Sequence, residues 1–143
     1  LSVYCLPFLM GIVPQIIGSE CEYILWRMLS EKGYFCMRVR GSGRGYSATI
    51  YPDLLAIKKG RVLMFEVKYR TDKQSVTISE RRFKGYKMIA ERAGAEFYIA
   101  AYYVPIGEFR FLRLDEYDNI SKGWVYYRFL SFLHRGRRID DIA

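Results

Sequence analysis

Two acids and a lysine stand at a spacing that lets one β-hairpin gather them. Asp53 follows Pro52 at the head of one apolar stretch, and Glu66-Val67-Lys68 closes another. Residues 49–57 and 61–69 are extended in character, and Lys58-Lys59-Gly60 between them is a turn signal, with glycine where positive φ is needed. With Lys59-Gly60 as a two-residue loop, counting back along both strands puts Asp53 directly opposite Glu66. Side chains alternate along a strand, so Lys68 shares a face with Glu66. Directly opposed Cβ atoms lie about 4.5–5.5 Å apart, where like charges repel unless something compensates them. A divalent cation is the natural compensation, because Mg²⁺ takes one or two carboxylates together with waters and phosphate oxygens.

Each residue type then has a task in phosphodiester hydrolysis. Asp53 and Glu66 supply hard oxygen ligands for a metal that polarises the phosphate and lowers the pKa of bound water. Lys68, partly desolvated beside that metal, orients the attacking water or stabilises the charge on the pentavalent phosphate. The plain alternative is a solvated hairpin with scattered charges, since short acid-and-lysine patterns arise by chance in a chain that is 27% charged. Context argues against it. Leu54-Leu55-Ala56-Ile57 and Val62-Leu63-Met64-Phe65 are apolar runs, where a solvated charge is not expected.

The elements around the hairpin have their own signals. Residues 19–32 repeat Cys21, Ile24, Leu25, Met28 and Leu29 at helical spacing, with Gly33 as the stop. Glu20 and Glu22 fall at opposite edges of that apolar stripe, and periodicity does not choose which of them faces the acids. A strand over 34–40 leads into a glycine-rich loop, 41–47, and Arg40 at its entry with Ser42, Arg44, Tyr46 and Ser47 within it are candidates for phosphate contact. The loop lacks the G-x-x-x-x-G-K-[ST] pattern of a nucleotide-binding P-loop. Residues 70–78 read as a polar connection. Ser79 caps a second helix that runs to 93 and is stopped by Gly94. Strands are predicted over 96–104 and 109–114, a loop over 115–123, an aromatic-rich segment of unassigned type over 124–133, and a loose charged tail over 134–143.

The order α-β-β-β-α-β-β gives an α/β fold, a mixed β-sheet flanked by helices. Strands buried on both sides explain why the hairpin is apolar on both faces. One domain over 18–133 is expected, after an apolar arm over 1–17 and before the tail. The arm is interrupted by Pro14 and Gln15, short of the roughly 20 apolar residues of a membrane span, and is expected to pack on the core or on a second subunit.

The net charge of +8 and pI of about 9.5 favour a polyanionic partner. Arg81, Arg82 and Lys84 give the second helix a positive face, and Lys58, Lys59 and Arg70 lie near the acids in sequence, which suggests a basic track for DNA. Three cysteines without metal spacing point to a reducing compartment, and His134, the only histidine, rules out zinc sites of the finger type.

Gly18-Ser19-Glu20-Cys21-Glu22, Arg40, Pro52-Asp53 and Glu66-Val67-Lys68 together resemble the archaeal Holliday junction resolvases. These are a branch of the restriction-endonuclease-like superfamily with a PD-(D/E)xK site. The resemblance implies a restriction-endonuclease-like fold and a Mg²⁺-dependent endonuclease, with Mn²⁺ as a substitute, acting on branched double-stranded DNA in the cytoplasm at the nucleoid. It selects Glu22 over Glu20 as a metal-site glutamate, adds the Val67 carbonyl to the ligands Asp53 and Glu66, and gives Lys68 the catalytic lysine role. Arg40 takes the place of a basic residue before the loop. It also implies a homodimer making paired cuts, and the surplus apolar surface of 98–104, 109–112 and 124–132 is the expected interface. The competing readings are another nuclease of the superfamily, of restriction or repair type, a basic nucleic-acid-binding protein that keeps the fold without cutting, and a peripheral membrane protein using 1–17. Pure binding has no use for clustered acids, which repel phosphate.

Overall fold

A computed structural model describes residues 18–39 and 50–143 of the chain. The first helix, α1 (Gly18–Glu31), buries Cys21, Leu25 and Leu29, which recur every fourth residue and so stack along one face. Gly33, at φ +91°, turns the chain into β1 (Phe35–Arg38). The acid-bearing strands are β2 (Leu54–Lys58) and β3 (Arg61–Arg70), paired in the expected register from Leu54 with Phe65 to Lys58 with Arg61. Both loop residues, Lys59 and Gly60, have positive φ, as the twist-matched two-residue turn requires.

After β4 (Val76–Ser79), Ser79 caps α2 (Glu80–Ala93) by accepting from the Arg82 amide, and Gly94 closes it in the left-handed conformation. Then β5 (Glu96–Tyr103) pairs parallel with β3, and β6 (Glu108–Arg113) pairs antiparallel with β5. The main sheet has the order β1-β2-β3-β5-β6 and is mixed, as expected. Each face carries its own core. On one, α1 packs Leu25 and Leu29 against Leu54, Phe65 and Tyr102. On the other, Tyr86 and Ala90 of α2 pack with Met64, Ile99 and Leu112. Central β3 serves both, sending Leu63, Phe65 and Val67 one way and Met64 the other.

The structure departs from expectation in three places. First, the connection over 70–78 contains β4 and the loop over 115–123 contains β7 (Asn119–Ser121). These join β8 (Trp124–Tyr127) in a second sheet of order β4-β8-β7. β7 is exposed throughout, so it carries no apolar alternation to read. Second, the C-terminal segment is charged but not loose. After α3 (Phe129–Arg135), Arg137 exchanges backbone hydrogen bonds with Phe111, and α4 (Ile139–Ile142) buries Ile142 while Asp140 pairs with Lys32 just after α1. Third, the aromatic surplus of β5 and β6 is consumed inside the subunit. Tyr98, Tyr102, Tyr103, Phe109 and Phe111 are buried in edge-to-face and tilted ring contacts, so these rings are not free to form an apolar interface. The apolar arm and the glycine-rich loop lie outside the described residues. No helix among the described residues is long and apolar enough to cross a membrane.

Candidate active site

Glu66 is the one charged residue among those described that is buried, with 3% of its surface exposed. A buried carboxylate persists only with partners, and it has two. Tyr86 Oη donates to Oε2 at 2.5 Å, and Lys68 Nζ lies 3.2 Å from Oε1. Lys68 is therefore beside Glu66 on one face of β3, as strand alternation predicts. Tyr86 is fully buried, with its ring stacked on Phe97 at 4.5 Å, and its hydroxyl accepts from Arg82 Nη1 at 3.2 Å. Burial and the Glu66 charge push the Tyr86 pKa far up, so the hydroxyl keeps its proton and remains a donor.

Asp53 sits one step beyond the β2–β3 ladder. Its amide donates to the Phe65 carbonyl at 2.9 Å, so it does not pair with Glu66 as simple counting predicts. Its side chain turns back to the hairpin, where Oδ2 accepts from the Val67 amide at 2.8 Å. Burial, and next the Glu66 charge, push the Asp53 carboxyl up to about 7, against the opposing pull of the Val67 amide; the Glu22 charge adds to the rise. The two acids are thus close enough to repel, in a place too dry for water to screen them.

Glu22 comes from α1, on the other face of the sheet from α2, and is half-buried where Glu20 is exposed. Its Oε2 accepts from Arg38 Nη2 at 3.1 Å. Among the described residues no three His, Cys, Asp or Glu side chains are gathered closely enough to hold a metal ion as they stand. The structure brings Asp53, Glu66 and Lys68 together, and places Glu22 where its charge reaches Asp53 while its carboxylate is engaged by Arg38.

The predicted DNA-contacting residues divide. Arg40, Ser42, Arg44, Tyr46 and Ser47 lie outside the described residues. Lys58 and Lys59 are at the hairpin tip, the far end of β2 from Asp53; sequence proximity does not bring them to the acids. Lys58 is engaged elsewhere, donating to the Lys32 carbonyl at 2.8 Å at the end of α1. Arg70 ties down its own connection by donating to the Tyr69 and Ser75 carbonyls. Arg81, Arg82 and Lys84 are exposed on α2, with Lys84 3.9 Å from Glu80 and Arg82 linked to the acids through Tyr86. Sequence reasoning missed Tyr86, which reads as part of the apolar side of α2, and Arg38, two residues before the arginine it selected. A tyrosine at a core position four residues from an arginine was the available signal for the first.

A mixed sheet with a helix on each face, carrying two acids and a lysine at the open end of its central hairpin, is the architecture of the restriction-endonuclease-like nucleases. Comparison with known proteins narrows the class. The model of the family described as archaeal Holliday junction resolvase (Hjc) matches residues 14–128, and the chain belongs to that family. It is 28% identical over 126 residues to the crossover junction endodeoxyribonuclease Hjc of Sulfolobus acidocaldarius, covering 88% of this chain and 85% of that one. To the protein of the same name from Sulfurisphaera tokodaii it is 26% identical, with the same coverage. The solved structure of Hjc from Archaeoglobus fulgidus, a Holliday junction resolvase, superposes with a TM-score of 0.73 over 87% of this chain and 93% of that one, at 23% identity, which establishes the shared fold.

Proposed function

We propose that this chain resolves four-way DNA junctions as a Mg²⁺-dependent endonuclease, working as a homodimer that cuts two opposed strands. The observation that carries the reading is the pair Asp53 and Glu66, brought together at the end of the hairpin, where burial first and the Glu66 charge next push the Asp53 carboxyl up to about 7. Lys68 answers Glu66, but among the described residues Asp53 has no ion pair of its own. The donor set suits Mg²⁺, with Asp53 and Glu66 as hard oxygen ligands, the Val67 carbonyl beside them, and Glu22 joining on release from Arg38. When bound, the metal polarises the scissile phosphate, offsets charge in the transition state and lowers the pKa of water.

The chain's own groups have separate tasks. Glu66, fixed from both sides by Tyr86 and Lys68, keeps one orientation. The Val67 amide holds the Asp53 carboxylate against the end of the ladder. Lys68 presents a compact ammonium to the attacking water and to the charge that develops on phosphorus. Arg38 balances Glu22 in the free protein, and its Nε is buried without a hydrogen-bond partner among the described residues.

A twofold pair of sites supplies paired cuts. Apolar surface for such a pair remains on the β7–β8 hairpin and α3, where Ile120, Trp124, Leu130 and Leu133 are exposed. The deciding experiment incubates the protein with a synthetic four-way junction and with matched linear duplexes, with and without Mg²⁺, and runs sedimentation equilibrium beside it. Paired nicks in the junction alone, only with metal, from a species of twice the 16.9 kDa chain mass are expected. Equal cutting of linear duplex, or a monomer nicking one strand at a time, would leave a nuclease of another kind.

A further inference from the structure

Helix α2 reaches into the site through one hydroxyl. Tyr86 Oη donates to Glu66 Oε2 at 2.5 Å and accepts from Arg82 Nη1 at 3.2 Å, and Arg82 stands exposed on the basic face of the same helix. The chain Arg82–Tyr86–Glu66 therefore runs from the surface to the buried carboxylate. Its middle member cannot move, because the Tyr86 ring is wholly buried and stacked on Phe97. The other Glu66 oxygen faces Lys68, so without the tyrosine hydroxyl the carboxylate is held from the lysine side alone. The ring belongs to the apolar core, and the hydrogen bonds of its hydroxyl are those to Glu66 and Arg82. It has one polar task within the fold.

We propose that Tyr86 is the positioning residue for Glu66, and that Arg82, by docking a DNA phosphate, tightens the same hydrogen-bonded chain. This rests on the nuclease reading above and extends it to a residue that touches neither substrate nor water. An arginine has five N–H donors, so the one given to Tyr86 leaves others for a phosphate oxygen. Phosphate binding fixes the guanidinium, the guanidinium fixes the tyrosine hydroxyl, and the hydroxyl fixes Glu66 at the moment DNA arrives. Partners of this kind, one shell behind a metal ligand, set its orientation, and their loss costs about 10–100-fold in affinity or rate.

The test uses the full chain, with Tyr86→Phe, Arg82→Met, the double variant and Glu66→Ala. Thermal melting, junction affinity, single-turnover cleavage, and Mn²⁺ titration of the DNA-free protein are measured for each. Tyr86→Phe takes one of two partners from a buried carboxylate, so it should melt somewhat lower yet stay folded, keep its junction affinity, lose about 10–100-fold in cleavage rate and bind Mn²⁺ several-fold more weakly. The rate lost in Arg82→Met should largely vanish in the Tyr86→Phe background, because one chain broken twice is no worse than once. Wild-type cleavage and Mn²⁺ affinity in Tyr86→Phe, or losses that multiply in the double variant, overturn the proposal. Where Tyr86→Phe does not fold, the wild-type protein carries the test by NMR. The Tyr86 hydroxyl proton should resonate far downfield and shift when Mg²⁺ is added, and a resonance indifferent to Mg²⁺ overturns the proposal. The two ideas fail differently. If wild type does not cut, or Glu66→Ala cuts as well as wild type, the nuclease reading falls and this one with it. If wild type cuts and Glu66→Ala does not, the Tyr86→Phe result judges positioning alone.

Discussion

The Val67 amide donates to the Asp53 carboxylate at 2.8 Å across the step where the β2–β3 ladder has already ended. One strand thus supplies Glu66 and Lys68 by their side chains, and grips the third group by its backbone. That grip does not offset burial and the Glu66 charge, and Asp53 ends near 7, against an ordinary 3.8.

A stability profile follows from that rise. The folded protein holds the Asp53 proton more tightly than the unfolded chain does. The contribution is therefore fully present below about pH 4 and is lost as pH climbs to about 7. Urea unfolding in a chelator should show wild type losing stability relative to Asp53→Asn across that window. Glu96, Glu108, Glu116 and Asp118 are shifted downward, act at lower pH, and are common to both proteins. A difference that does not change with pH would contradict the geometry.

Removing an acid should separate cutting from binding. Glu22→Gln, Asp53→Asn and Glu66→Gln are expected to abolish metal-dependent cleavage while junction affinity stays equal or rises, since each removes negative charge near phosphate. Glu20→Gln, at an exposed position, should keep its activity. Gel-shift and cleavage assays on the same preparations decide it, and an inactive Glu20→Gln beside an active Glu22→Gln would reverse the choice within α1.

Lys68→Ala should lose turnover by about 10²-fold or more with Mn²⁺ affinity retained, as expected for a group acting on transition-state charge. Lys68→Arg should restore only part of it, because a planar fork does not replace an ammonium at 3.2 Å from Glu66. Single-turnover rates at saturating metal make the comparison, and wild-type speed in the arginine variant would remove Lys68 from this role.

Gly85→Ala should behave unlike most glycine-to-alanine changes within a helix, which gain about 0.5–1 kcal/mol. A Cβ there would stand 2.7 Å from Ile50 Cδ1 and 3.2 Å from two further Ile50 carbons. Ile50 precedes Asp53 by three residues, so relief of the clash moves the approach to the acid. Lower melting temperature and slower cleavage are expected; a more stable and fully active variant would show that Ile50 yields freely.

Lys58→Ala should cost about 1 kcal/mol of stability and leave junction binding unchanged, because its ammonium holds the Lys32 carbonyl at the end of α1. Denaturant midpoints and binding isotherms separate the two effects. A large loss of DNA affinity would return Lys58 to the basic track that its place in the sequence suggests.

What was legible in the chain was local. The α1 stripe, the Lys59-Gly60 turn, the Ser79 cap and the Gly94 stop each depend on residues within a few positions of one another, and each stands where its signal put it. The hairpin register followed from the turn and delivered Glu66 and Lys68 correctly, but counting did not anticipate the slip that takes Asp53 out of the ladder. What stayed hidden depends on partners distant in sequence. β4 reads as a polar connection because its pairing partner is Tyr127 and its neighbours, and the docking of Ile142 needs α1 and β6 already in place. Tyr86 was misread for the same reason, since an apolar ring and a hydrogen-bond donor look alike until the acid that it meets is known.

The parallel pairing of β3 with β5 bears on the order in which the chain is made. Glu22, Asp53, Glu66 and Lys68 have all been synthesised by residue 68, but β3 has no parallel neighbour until β5 follows, and Glu66 has no tyrosine until α2 does. A nascent chain therefore carries every candidate reactive group before it owns the framework that aligns them. Cutting competence arrives late in translation, so a ribosome stalled before β5 holds a chain that has the groups of a nuclease and lacks its sheet.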